Sequence, residues 1–158
     1  MRNNYKLIFL IFLILISCSE RDIIFLDIKE IDGVWNKDNK IDFSFNSEEL
    51  AVDISLIFRT DYSYPFSNIF LITSVENNNL FTIDTINHSF KKKSRSWYDI
   101  EKASINSSKI LIKKSFKIKN GLTKFTVKHS IRHLDSIMPL TKLGGILDIG
   151  LIVEKSLK

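Results

Sequence analysis

The chain has 158 residues, 44% of them hydrophobic and 26% charged, a balance that suits one globular core and excludes both a disordered tail and a polytopic membrane protein. The formal net charge is +5, but Arg2 and Lys6 supply two of those charges from an N-terminal leader. The small remainder excludes the strongly basic class, and no nucleic acid is expected as a partner.

The leader runs from Arg2 and Lys6 into an unbroken apolar stretch, Leu7 to Ile16, and then to Ser17 and Cys18. That is the charged, apolar, small-residue order of an export signal. The apolar stretch is about half the roughly 20 residues a spanning helix needs, so a cleaved signal is favoured over a permanent span. Leu15, Ile16, Ser17 and Cys18 fit a lipobox, in which the cysteine sulfur accepts a diacylglycerol and becomes residue one. No other side chain offers that thiol, and Cys18 is the only cysteine present. The expected organisation is a lipoprotein signal peptide over 1–17, a lipidated Cys18 with a short tether over 18–22, and a β-domain over 23–158. Two or three acyl chains, at about 0.8 kcal/mol per buried methylene, make attachment to membrane lipid effectively permanent. The polar tether Ser19, Glu20, Arg21 and Asp22 reaches only about 13 to 15 Å when extended, which keeps the domain close to the bilayer.

Beyond the tether, apolar Ile23, Ile24 and Phe25 begin the domain, and the dominant period is two. Ile41, Phe43 and Phe45 alternate with Asp42, Ser44 and Asn46; Leu50, Val52, Ile54, Leu56 and Phe58 alternate with Asp53, Ser55 and Arg59. Both read as half-buried strands. Ile69 to Val75 is apolar on both parities, as an internal strand is, and Asn77, Asn78 and Asn79 turn it into Leu80 to Ile86 as a hairpin. Ile110, Ile112, Phe116 and Ile118 share a parity that Lys114 interrupts, which places a bulge near Lys113 and Lys114. After an Asn120, Gly121 turn, Phe125, Val127 and Ile131 alternate with Lys124, Thr126, Lys128 and Ser130. The last strand puts Leu147, Ile149, Leu151 and Val153 on one face and Asp148, Gly150 and Glu154 on the other. A short helical turn is expected at Trp97 to Lys102. About eight strands joined by polar turns indicate an all-β fold, an antiparallel β-sandwich.

No catalytic residue, metal site or cofactor site emerges. His129 and His133 have i, i+4 spacing, but His129 lies in a strand pattern and no third ligand cluster accompanies them, so a rim or core histidine is the reading. His88 reads as solvated. Asp42, Asp53, Asp84 and Asp148 fall on outward parities and read as solubilising. There is no Gly-x-Ser-x-Gly elbow, and the Gly144, Gly145 pair precedes a strand instead of opening a helix, which removes a phosphate loop. Lys91, Lys92, Lys93 and Arg95 beside Trp97 and Tyr98 read first as a solvated loop, with lipid or partner contact next.

The chain resembles the gliding-motility lipoprotein GldH family. The resemblance rests on the lipobox at Cys18; on Trp35, Asn36, Lys37 and Asp38 before the strand at Ile41; and on Tyr64, Pro65, Phe66, Ser67 and Asn68 leading into Ile69 to Ile72. It continues with a basic Arg132 and a closing segment from Gly145 to Lys155. Between His88 and Lys114 the chain departs from the family, carrying lysines and serines where a Gly-rich and Asp-rich stretch is usual. The resemblance implies an envelope lipoprotein, held by the outer membrane in preference to the inner. It further implies a non-catalytic structural or adaptor component whose partners are other gliding and secretion machinery proteins. A glycan- or ligand-binding envelope lipoprotein, stacking sugars on Trp35, Trp97 and Tyr98, is the alternative.

Overall fold

The computed structural model describes residues 22–90, 105–132 and 137–157. The leader, Cys18, the basic loop Lys91 to Arg95, the helical turn expected at Trp97 to Lys102, and His133 lie outside the described residues.

Eight strands follow one another: β1 (Ile23–Asn36), β2 (Ile41–Ser47), β3 (Leu50–Thr60), β4 (Asn68–Asn77), β5 (Leu80–Ser89), β6 (Asn106–Ile118), β7 (Gly121–His129) and β8 (Lys142–Lys155). They form two antiparallel four-stranded sheets, sheet I in the order β1-β8-β3-β6 and sheet II in the order β2-β7-β4-β5. Only the β4–β5 connection stays within a sheet; every other one carries the chain across to the opposite sheet. The expected all-β antiparallel sandwich is therefore the fold, and the Asn77–Leu80 hairpin is present, with Asn78 at φ 52° in its turn. Asparagine tolerates that left-handed conformation better than other non-glycine residues.

One face of each sheet is apolar, and the two faces close on a single core. Trp35, Phe43, Phe58, Phe125, Leu56, Leu71 and Ile149 are among its fully buried members. Phe25 of β1 stacks on Phe45 of β2, with ring centroids 4.9 Å apart, and fastens one side of the sandwich. On the other side Lys113 of β6 reaches Asp84 of β5 at 2.6 Å. Both charges belong to edge strands, where inward-pointing charge discourages pairing with another chain.

Sheet II keeps strict alternation and uninterrupted register, as in β2, where Ile41, Phe43 and Phe45 point in and Asp42, Ser44 and Asn46 point out. Sheet I is irregular. Register shifts interrupt β1 on β8, β6 on β3 and β3 on β8. The irregularity expected near Lys113 and Lys114 is there: Val52 pairs Phe116, Ile54 pairs Lys113, and Ser55 pairs Leu111, with Ser115 at φ 49°. Two expectations for the last strand need correcting. Gly144 and Gly145 lie inside β8, not before it. A shift near Leu147 also rotates the strand, so Ile146 enters the core and Leu147 is only half-buried.

The register also divides the sandwich into two poles. Ile23 opposite Glu154, Leu50 opposite Ile118, Ser47 opposite Gly121 and Asn77 opposite Leu80 share one pole, so the chain enters β1 among its tight turns. Asn77, fully buried, stitches that pole together. Its Nδ2 donates to Thr123 Oγ1 at 2.9 Å and Lys119 O at 3.1 Å, while its Oδ1 accepts the Lys119 N–H at 2.8 Å. The longer loops gather at the opposite pole.

Candidate functional site

The expected site residue, Cys18, lies outside the described residues, but the structure fixes where its tether arrives. The Lys155 N–H donates to Asp22 O at 2.9 Å, so the chain is tied to the end of β8 one residue before β1 begins. Whatever holds Cys18 holds this corner of the sandwich within a four-residue reach.

At the far pole the structure brings together the two segments that carry the family resemblance. Asp61 opens the β3–β4 loop: its Oδ1 accepts from the Ser63 N–H at 2.7 Å and from the Ser63 hydroxyl at 2.6 Å, a side-chain turn of the kind aspartate favours. The Asp61 N–H donates to Gly145 O at 3.0 Å, which seats the loop on β8. Gly145 has φ 80°, and a Cβ there would lie 2.3 Å from Tyr64 N. Only glycine lets the two backbones approach so closely. Tyr64 then donates its hydroxyl to Asn68 O at 2.8 Å and packs edge-on against Phe66 and Phe90. Desolvation pushes its phenol well above the ordinary range, so it stays protonated.

Beside this cluster Trp35 donates its indole N–H to Asn39 O at 2.8 Å and meets the His129 ring edge-on at 5.1 Å. Trp35 is 0% exposed, which removes it from any sugar-stacking platform. Trp97 and Tyr98 lie outside the described residues. His129, 2% exposed, is a core histidine. Its Nε2 faces Trp35 O at 3.1 Å and must carry the proton, because a carbonyl can only accept. Its Nδ1 is buried with no partner among the described residues, and burial lowers the ring's pKa. Around these rings the loops present exposed Tyr62, Ile137 and Met138.

Several polar residues are not where their parity suggested. Asp53 and Asp148 are 6% and 3% exposed, buried under neighbouring side chains on the outer face of sheet I, so neither is a solvated surface charge. Arg59 Nε lies 2.8 Å from both carboxylate oxygens of Asp148, and the Ser115 N–H donates to Asp53 Oδ1 at 2.8 Å. Lys109 reaches Glu154 at 2.7 Å on the same face. Asp84 points inward to Lys113. His88 is half-buried, not solvated: it lies on the inner parity of β5, edge-on to Phe90, and burial lowers its pKa. Asp42 alone of the four aspartates is outward and exposed, with Thr126 and Lys124 beside it. The strand period marks these faces, but it cannot reveal that long basic side chains fold down over one of them.

The arrangement is one of packing and pairing. A shallow, open cleft of about 440 Å³ between β1 and β2 is lined by Lys29, Glu30, Asp32, Lys40 and Asp42 among others, with no nucleophile paired to a base. Among the described residues no group of three or more His, Cys, Asp or Glu is placed to hold a metal ion.

Comparison with known proteins points to one family. The family model described as GldH lipoprotein matches residues 24–153, nearly the whole sandwich. The gliding motility lipoprotein GldH of Flavobacterium johnsoniae is 27% identical over 155 residues, covering 96% of each chain. A GldH homolog of Christiangramia forsetii is 26% identical over 162 residues, covering 99% of each.

Proposed function

The chain belongs to the GldH lipoprotein family, and from that premise we propose that it is a non-catalytic structural or adaptor component of bacterial gliding motility and its associated secretion machinery. In this reading residues 1–17 are removed on export, Cys18 is acylated, and the sandwich over 23–158 works in the envelope from the outer membrane. The family match across the sandwich carries the reading. It is supported by a site whose chemistry is backbone approach and aromatic packing at Gly145 and Tyr64, a way of shaping a binding surface.

The partners are other proteins of the motility and secretion machinery, met by the loop pole at the end of the sandwich opposite the tether. Cross-linking in intact cells followed by affinity purification tests this. Recovery of motility or secretion components, together with loss of gliding in a deletion strain and its restoration by the wild-type gene, is the expected result. Saturable glycan binding by the purified protein, lost on Trp97→Ala and without any protein partner, would overturn it. Mass spectrometry of the mature N-terminus tests the anchor: an acylated Cys18 is expected, and an intact Met1 in membrane-extracted protein refutes it.

A further inference from the structure

We infer that the outer face of sheet I lies against the lipid bilayer, so that the sandwich reclines on its membrane instead of standing on its turns. The inference rests on the proposed acylation of Cys18 and adds to it an orientation.

The first residues after the tether choose the face. Ile23 pairs Glu154, Leu26 pairs Ile152 and Ile28 pairs Gly150, so all three share the outer side of sheet I. They can do so only because the register shift between Ile23 and Phe25 absorbs one residue; without it Ile23 would fall on the opposite parity from Leu26 and Ile28. Across the sheet the Leu26 row runs through Ile152 and Ser55 to Leu111, and the Ile28 row through Gly150 and Ile57 to Lys109. Ile23, Leu26 and Ile28 are 56%, 51% and 49% exposed, an apolar row along β1 of the kind that marks a contact site, and Leu111 on β6 is 53% exposed at the other side of the same face. Gly150 keeps the middle of this surface flat: a Cβ there would lie 3.2 Å from Ile28 Cγ1 and 3.5 Å from Ile57 Cβ.

The buried carboxylates Asp148 and Glu154 of this face are paired within it, while Glu30 and Lys117 stay exposed on its edge strands. Arg59 grips Asp148, and Lys109 crosses β3 to Glu154. Paired charges approach a headgroup layer at lower desolvation cost than isolated ones. The turns at the tether pole instead expose Glu48, Glu49, Lys119 and Asn120, which favour water.

The occupant follows from the length of chain outside the structure and where it ends. Only four residue steps separate Cys18 from Asp22, about 13 to 15 Å at full extension, and Asp22 is fixed to β8. A lipid on Cys18 therefore keeps the corner bearing Ile23 at the bilayer surface. The exposed Phe81 and Ile83 of sheet II sit on β5, at the opposite edge of the sandwich, so the outer face of sheet I beside β1 is the one that folds down on it.

The test uses the full mature lipoprotein in vesicles of phosphatidylethanolamine and phosphatidylglycerol. Because Cys18 is the only native cysteine and is acylated in this reading, single cysteines can be introduced and spin-labelled. Leu26→Cys and Leu111→Cys report on sheet I, and Ser44→Cys and Thr126→Cys report on sheet II. Nitroxides at the first two should gain accessibility to oxygen and lose it to a water-soluble nickel chelate, while the second two remain open to the chelate. Equal chelate access on both faces overturns the orientation although the protein floats with the vesicles. Shielding of Leu26 and Leu111 that appears only as protein density rises, and not with lipid, assigns the face to a second copy and overturns it equally. Failure to float at all overturns the anchor, and the orientation with it.

Discussion

Sheet II is regular and sheet I is not, and the contrast separates what a strand pattern can encode from what only packing decides. In sheet II each strand alternates, its register runs uninterrupted and its outward side chains meet water. In sheet I both broad surfaces are partly covered, bulges reset the parity, and Asp53, Asp148 and Glu154 are buried by neighbours instead of hydrated. Regularity therefore follows simple solvation. Irregularity gathers where β1 begins, where β6 bulges at Ser115 opposite β3, and where the β3–β4 loop sits on Gly145.

The sharpest way to break this contrast is Gly145→Ala. A left-handed φ together with a Cβ driven into the Tyr64 backbone should cost at least about 3 kcal/mol in urea unfolding. Gly144→Ala, with open space around it, should be tolerated. Retention of wild-type stability by both would refute the seating of the loop on β8. Asn77→Ala, at the stitched pole, orphans the Lys119 N–H and should cost about 2 to 3 kcal/mol. Asn77→Asp should recover part of this, since it restores the acceptor.

On the covered face, Arg59→Met leaves Asp148 buried without its partner and should lower Tm by several degrees, whereas Arg59→Met with Asp148→Leu should recover most of the loss. If the single variant melts like wild type, water reaches Asp148 and the face is less covered than described.

The buried histidines make stability depend on pH. Burial lowers the pKa of His129 and of His88 in the folded chain, so the unfolded chain takes up protons first as pH falls below about 6.5. The stability they contribute is present above that pH and is lost as pH falls towards their folded-state pKa values. Urea midpoints at about pH 7.5 and about pH 5.5 should differ in that sense, and His129→Gln should flatten the difference. The smallest effect belongs to Asp42→Ala in sheet II. Thr126 and then Lys124 hold its carboxyl below the usual range, but the pair is exposed and should be worth about 0.5 kcal/mol or less.

Legibility follows the same division. The period of β2, the Asn77–Leu80 turn and the break near Lys114 can be read because each depends on neighbours in sequence. The proposed leader and lipobox rest on a linear motif, which needs no tertiary context to be read. The rotation at Leu147, the descent of Lys109 onto Glu154 and the approach of Gly145 to Tyr64 depend on residues far apart in the chain, and no local pattern encodes them. Trp35 shows the limit most plainly. An aromatic residue followed by Asn, Lys and Asp looks like an exposed platform, yet tertiary packing buries it completely.

The position of β8 governs when this fold can close. It lies between β1 and β3, it follows the other seven described strands along the chain, and β1 has no other hydrogen-bonded neighbour in its sheet. Until β8 is in place, β1 has no strand to pair with and sheet I cannot assemble as one layer. Its pairings join strands far apart in the chain, and such distant pairing demands a slow search.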